Sequence, residues 1–361
     1  MRALPVRILI VKLSSLGDVV HAMPAVQDLR LALPGVHIDW VVESAFAPLA
    51  MRCKGVQRVI ACDLRRWRKS LWSTQTRREW AVFKAQLQET AYDLVIDLQG
   101  LSKSALVSWL ARTTPKGLRV GLAHQTEGSG FEAPARWVAD LAVTMDPRVH
   151  AVQRSRTVCA AALGAVTPAA VAPLSRGPLE LGPLEFGLAI GDAGVAAPAP
   201  AGLDGNPFAP RRPIVALVHG TSRADKEWPL EHWVALGQRL NHSGFAVALA
   251  QGNAAERQTS ERIASELADA WVWPTMGLDA LTDTMARCAG VIGVDSGLSH
   301  IAVALGLPHV QIYNFDTAWR TGPLAERLKA AKQVSVFASP HPDLDTVWQA
   351  WEALDTPVLC R

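Results

Sequence analysis

The sequence predicts an α/β protein built from two doubly wound parallel-sheet domains, and three observations carry that prediction. Short runs rich in Ile, Val and Leu alternate with helical patterns; the alternation breaks once, between about 166 and 212, and then resumes; and polar, glycine-containing stretches follow directly on several strands. Strands that are apolar on both faces and separated by helices belong in a parallel sheet covered on two sides. Such sheets bind ligands beyond the carboxyl ends of their strands, so the expected site is a cleft between two domains.

The first series reads "RILIVKL" (7–13), a helix over 18–33, "HIDWVVE" (37–43), "RVIACD" (58–63), a helix over 78–90, "YDLVIDL" (92–98) and "LRVGLA" (118–123). From 166 to 212 Ala, Pro and Gly dominate, as in "GVAAPAPAGLDGNPFAP", and the later part reads as a linker or surface insertion. The second series begins with "PIVALVHG" (213–220), a helix near 230–243, "FAVALAQG" (245–252), a helix near 254–268 and "WVWP" (271–274). It continues with a helix near 278–288, "GVIGVDSG" (290–297), a short helix from Leu298 and "HVQIYNF" (309–315). The expected boundaries are a first domain over 1–185, a linker over 186–212, a second domain over 213–340 and a terminal segment over 341–361. That last segment, "DLDTVWQAWEALDTPVL", has helical apolar spacing and is expected to pack back on the first domain.

With 361 residues, 49% of them hydrophobic and 19% charged, the chain can fill two ordinary cores. A formal net charge of +3 leaves attraction to an anion to local clusters. Cysteines 53, 62, 159, 288 and 360 form no C-x-x-C pair and no zinc ladder, so buried or incidental thiols in a reducing compartment are expected. Arg2, Arg7 and Lys12 interrupt the amino terminus before a signal-peptide core forms, and no run reaches membrane-spanning length. A soluble, cytoplasmic chain able to touch a membrane surface is the expectation. There is no Ser/His/Asp signature, no H-E-x-x-H, no acidic cluster suited to a hard metal and no nucleic-acid reader motif.

Four stretches carry candidate chemistry. In "KLSSLGDVVHAMP", Ser15 or Asp18 serves as a helix cap, or Asp18 acts as a general base while Ser15, Gly17 and neighbouring N–H groups hold an anion. His21, one turn on, lines the same pocket in the second reading. "HGTSRADKEWP" offers Thr221, Ser222 and Lys226, a set suited to a diphosphate leaving group. "GVDSGLSH" ends a strand in Asp295 and opens a helix at Ser296, Gly297 and Leu298, with His300 in its first turn. Glu256 could accept hydrogen bonds from a ribose diol, and Met276 could cover a purine face. Finally, "LRRWRKSLW" gathers Arg65, Arg66, Arg68 and Lys69 beside Trp67 and Trp72, which fits a polyanionic, partly lipidic acceptor.

These residues resemble the lipopolysaccharide core heptosyltransferases, and within them the transferases that add the first heptose. The resemblance rests on "ILIVKLSSLGDVVHAMPA", "DWVVE", "RRWRK", "DLQGLSKSAL", "DKEWP" and "VDSGLSH", spread from about Arg7 to the last helix. It implies a GT-B fold, two Rossmann-like domains facing across a cleft, with acceptor bound by the first and ADP-sugar by the second. It implies inverting transfer of L-glycero-D-manno-heptose from ADP-heptose to the first 3-deoxy-D-manno-octulosonic acid (Kdo) of Kdo2-lipid A. Asp18 matches the catalytic aspartate and Lys226 the diphosphate lysine. Thr221, Ser222, Glu256, Met276, Asp295, Ser296, Gly297 and His300 fall on nucleotide-sugar positions. Arg65, Arg66 and Lys69 fall on acceptor positions, with Gln99 and Lys103 beside them. No cofactor is required on this reading, with Mg2+ stimulation left open, and the protein is a monomer peripheral to the cytoplasmic face of the inner membrane. Two departures stand out: "NFDTAWRTGP" (314–323) replaces a Gly-x-Thr-x-Pro turn, and the 191–210 insertion has no counterpart. The rivals are a second-heptose transferase or another ADP-sugar transferase, a nucleotide-sugar epimerase, and a catalytically silent sugar-nucleotide-binding or assembly protein.

Overall fold

The computed structural model describes residues 5–166, 182–191, 212–324 and 332–354. Most of the 191–210 insertion and Cys360 lie outside them. The chain divides into two compact units, Met1–Ala189 and Ile190–Arg361.

In the first unit the order is β1 (Arg7–Val11), α1 (Leu16–Ala32), β2 (His37–Glu43), α2 (Ala47–Met51), β3 (Val56–Cys62), α3 (Leu64–Trp67), α4 (Thr74–Gln88) and β4 (Ala91–Asp97). Then come α5 (Ser102–Leu110), β5 (Arg112–Leu122), α6 (Ala133–Val138), β6 (Leu141–Val143) and α7 (Ala151–Val166). The six strands are parallel in the order β3-β2-β1-β4-β5-β6. In β1, Leu9 and Val11 join a core with Phe83, Leu87 and Val107 on one face. Ile8 and Ile10, fully buried as well, point to the other. Burial on both faces is why these strands read as continuous apolar runs. Helix α1 is buried nearly all round because it lies against α7, and a bidentate Arg156–Asp28 pair at 2.7 and 2.8 Å ties the two together. Asp39 of the "DWVVE" motif is structural: wholly buried, it accepts from Arg58 Nη2 and the Tyr92 hydroxyl, both at 2.7 Å.

The second unit runs β7 (Ile214–Val218), α8 (Leu230–His242), β8 (Ala246–Leu249), α9 (Ala254–Ser265), β9 (Ala270–Val272), α10 (Leu278–Met285) and β10 (Gly290–Val294). It ends with α11 (Gly297–Ala304), β11 (His309–Tyr313), α12 (Ala318–Thr321), β12 (Gln333–Phe337) and α13 (Leu344–Glu352). Its parallel order, β12-β11-β10-β7-β8-β9, repeats that of the first sheet. Each unit is thus a Rossmann-like sheet with its reversal of strand order beside its first strand.

Two sequence expectations need correction. Residues 182–189, placed partly in the linker, belong to the first unit, because Lys54 N–H bonds Gly187 at 2.8 Å and Ala189 N–H bonds Arg52 at 2.8 Å. Helix α13 is part of the second unit: Val347, Trp351 and Leu354 enter its core with Val215, Ile292 and Val310. A sheet edge left uncovered between α8 and β12 supplies the apolar surface that its spacing requires. Gly290 records the closeness of this packing, since a Cβ there would sit 2.5 Å from Trp351 Cη2 and 2.8 Å from the Pro308 carbonyl. Gly290→Ala should therefore destabilise the protein by about 1–3 kcal/mol in urea denaturation; an unchanged midpoint would refute the seating of Trp351.

The four described cysteines are free and buried. Among the described residues no helix is long and apolar enough to cross a membrane.

Candidate active site

The loop after β1 lies at the reversal of strand order between β1 and β4, and both flanking loops shape it. After β4, the buried Asp97 carboxylate accepts from Gln99 N–H at 2.8 Å and Gly100 N–H at 3.1 Å. Gly100 turns the chain at φ +77°, a left-handed conformation that a side chain would strain. The turn aims Gln99 at the first loop, where its Oε1 accepts from both Leu13 and Ser14 N–H at 3.1 Å. It also starts α5 so that Lys103 Nζ reaches Ser14 Oγ at 2.8 Å, beside Arg65 Nη2 at 3.0 Å on the same oxygen.

Asp18 sits one turn into α1. Its Oδ2 accepts from the Ser15 N–H at 3.0 Å and the Ser15 hydroxyl at 2.9 Å, so the helix-cap reading holds. Its Oδ1 faces Lys12 Nζ at 3.4 Å and Arg154 Nη2 at 3.7 Å. A third of the Asp18 side chain remains exposed, whereas Lys12 and Arg154 are buried. Burial alone would raise this carboxyl, but Lys12, the Ser15 N–H, Arg154 and His21 together hold it well below the ordinary carboxylate range. The carboxyl is thereby held in its ionised form and is a weaker base than an ordinary aspartate.

Other first-domain candidates part company. Arg65 reaches Ser14, whereas Arg66 turns onto Asp63 at 2.9 Å and Glu79 at 2.5 Å in an exposed ion-pair cluster. Arg68 lines a groove beside α4, and Lys69 is exposed in the turn after α3. Gly17 and His21 are buried in α1, with His21 edge-on to His150 at 6.0 Å between ring centres. Sequence reasoning missed Arg154 and Glu43. Glu43 ends β2, is 6% exposed and leaves Oε1 without a hydrogen bond. Burial raises its pKa against the opposing Lys103 and Arg65 charges. The glutamate closing "DWVVE" at a strand end was the signal available for it.

The second domain builds a matching cluster at its own reversal, between β7 and β10. Lys226 Nζ bonds Asp295 Oδ2 at 2.5 Å, His300 Nε2 lies 3.4 Å from Oδ1, and Thr221 Oγ1 donates to the Asp295 carbonyl at 3.3 Å. Burial would raise the Asp295 carboxyl; His300 and Lys226 outweigh it and hold it well below the ordinary range. Ser296 caps α11 by accepting from Ser299 N–H, leaving Gly297 and Leu298 half-buried at the helix start. Ser222 is exposed in the same loop.

Glu256 lies in the first turn of α9, which Asn253 caps, and accepts from Gly252 N–H at 2.7 Å and Asn253 Nδ2 at 2.8 Å. It presses against Gly220, where a Cβ would stand 2.8 Å from its carboxyl carbon. A side chain at position 220 would displace the Glu256 carboxylate from this place. Met276 is half-buried, with Thr284 Oγ1 3.8 Å from its sulfur. The loop itself is pinned by buried Trp228, which donates to the Pro342 carbonyl at 2.8 Å, and by Asn314, which donates to Asp225 and Glu227 carbonyls at 3.0 and 2.8 Å. Asn314 opens the divergent 314–323 stretch, to which the sequence assigned nothing beyond closure of the pocket. No group of three His, Cys, Asp or Glu side chains among the described residues is arranged to hold a metal.

The sequence profile of glycosyltransferase family 9 (heptosyltransferase) matches residues 80–345. The lipopolysaccharide heptosyltransferase 1 of Pseudomonas aeruginosa is 36% identical over 320 residues, 88% of this chain and 81% of that one. Its Escherichia coli K12 counterpart is 35% identical over 310 residues, 85% and 87% of the two chains. The solved E. coli heptosyltransferase WaaC with ADP superposes with a TM-score of 0.76 at 32% identity, covering 96% of this chain and 99% of that one. The protein is therefore an enzyme, a glycosyltransferase of the GT-B type. Within that class the chain belongs to glycosyltransferase family 9, the heptosyltransferases.

Proposed function

We propose that this heptosyltransferase acts in lipopolysaccharide core biosynthesis, moving L-glycero-D-manno-heptose from ADP-heptose to the first Kdo of Kdo2-lipid A with inversion. The observation that carries the reading is Asp18, a partly exposed carboxylate kept ionised at a strand-order reversal and flanked by Arg65 and Lys103 on Ser14. In the reaction the Kdo hydroxyl oxygen attacks the anomeric carbon, its proton passes to Asp18, and the bond from that carbon to the ADP oxygen breaks. Asp18 is a weak base in the ground state. Its work is to accept the proton as the attacking oxygen loses electron density, when that proton becomes far more acidic.

Lys226 and the α11 amino terminus neutralise the departing diphosphate. In this scheme Lys226 exchanges Asp295 for phosphate oxygens, while His300 stays with Asp295. Glu256 holds the ribose and Met276 the base. The names of the relatives, and the ADP that accompanies WaaC, support the donor. The cations of α3 and Lys103 suit the carboxylates and phosphates of the acceptor. We place the enzyme as a monomer, peripheral at the cytoplasmic face of the inner membrane, with no cofactor beyond its substrates.

The test is a transfer assay with ADP-heptose and purified Kdo2-lipid A, read as a mass gain of one heptose. A parallel reaction with acceptor already carrying one heptose should give no product. Gain only on the heptosylated acceptor would reassign the chain to second-heptose transfer. Consumption of donor without acceptor would point to epimerisation.

A further inference from the structure

Beside the Asp18 loop, the first domain carries an open groove of about 960 Å3 between α3, α4 and α5. Leu64, Leu71, Trp80, Leu101 and Leu106 give it an apolar floor, and Arg68, Arg77 and Lys103 stand among them. The apolar surface continues past the groove. Trp72, directly after Leu71, is 86% exposed, and Trp109 is 63% exposed. On α5, Ser102, Leu106 and Trp109 are four and three residues apart and share one helix face, so Trp109 extends the groove wall formed by the other two. Trp137, 77% exposed, lies on α6, which packs on α5. Among the described residues, these are the three tryptophans with large exposure, and all three lie in the first unit.

Soluble proteins rarely leave several tryptophans uncovered close together. Tryptophan set among Arg and Lys suits the headgroup boundary of a bilayer, where its apolar ring is buried and its N–H stays wet. The charge of the face is net positive: Arg66 is neutralised by Asp63 and Glu79, and Glu132 lines the groove with Lys103, but Arg68, Lys69 and Arg77 have no acidic partner among the described ion pairs. We propose that this face, centred on Leu71, Trp72, Leu106 and Trp109, docks on the surface of an anionic lipid bilayer. A single acyl chain of the acceptor would fill the groove and leave Trp72 and Trp109 wet, whereas a bilayer covers both. The proposal deepens the membrane-acceptor reading and rests on it for its purpose, yet binding is measurable without turnover.

The experiment is vesicle flotation of the full-length protein with no substrate present. Vesicles containing phosphatidylglycerol should carry it, vesicles of phosphatidylcholine alone should not, and high salt should release it. The Trp109→Ala/Trp137→Ala protein should partition at least tenfold less while keeping its kcat/KM on a fully deacylated, water-soluble acceptor, because neither residue lines the groove or belongs to the catalytic or substrate-binding set. Undiminished flotation of that variant, or equal binding to both kinds of vesicle, would overturn the proposal. So would a stable dimer in sedimentation that the same double substitution dissociates. Loss of transfer activity together with normal flotation of the wild type would instead count against the acceptor assignment alone.

Discussion

Asp18→Asn is expected to lower kcat by roughly two to four orders of magnitude while leaving ADP affinity within about twofold, since it removes a proton acceptor and little else. The amide keeps the shape of the carboxylate and can still accept from Ser15, so α1 remains capped. A variant that turned over near the wild-type rate would end the assignment of Asp18 as the base. The same residue sets an expectation for pH. Its folded pKa lies below the ordinary value of about 4, so its base form is present above that range and is lost only as pH falls through the depressed folded value. Acidification through pH 6 and 5 should therefore not switch off Asp18. Lys12 is the largest charge holding the pKa down. Lys12→Met should accordingly move the acid limb of kcat upward, toward the ordinary carboxylate range. If the limb stays in place, Asp18 is not the group that titrates in the rate.

Lys226→Ala should lower kcat/KM by about 100- to 1,000-fold, the usual scale for removing one preorganised stabiliser of a departing oxyanion. ADP binding, measured by calorimetry, should weaken by roughly ten- to a hundredfold, as expected for loss of a charge-assisted hydrogen bond. The substitution also strips Asp295 of its closer cationic partner and leaves His300 alone beside it. The Asp295 pKa should then rise toward the ordinary value. Lys226→Arg restores the charge with a different reach and should recover part of the ADP affinity. Should the alanine variant bind ADP as tightly as the parent, Lys226 serves Asp295 and the loop, and the diphosphate is held elsewhere.

Much of the fold was legible because both sheets are parallel and buried on two faces. Runs such as "ILIV" (8–11) and "IVALV" have no polar residue that could face solvent. What went unseen was short or marginal. Strand β6 has three residues, and β12 is "QVSVF", whose alternation suits an edge. Helix α13 was read correctly as amphipathic but assigned to the wrong domain, because an apolar stripe states that a partner exists and does not say which. The site divides in the same way. Asp18, Lys226, Asp295 and His300 were visible as polar residues directly after strands, whereas Arg154 enters from α7 and carries no local signature. Arg66 looked equivalent to Arg65 in "RRWRK", yet consecutive helical residues point about 100° apart. One faces Ser14 and the other faces Glu79.

By itself, the sequence determined the class of fold, the two sets of strand-end loops and the family, because each depends on residues adjacent in the chain: periodicity, glycine turns and motif spacing. Only the tertiary structure decided how firmly Asp18 is held in its ionised form. That depends on Lys12 in the preceding strand-end loop and on Arg154, 136 positions further along, being brought within 3.4 and 3.7 Å of one carboxylate oxygen. Electrostatic energy falls with distance in space and rises with removal from water, and neither quantity is written in the order of the residues.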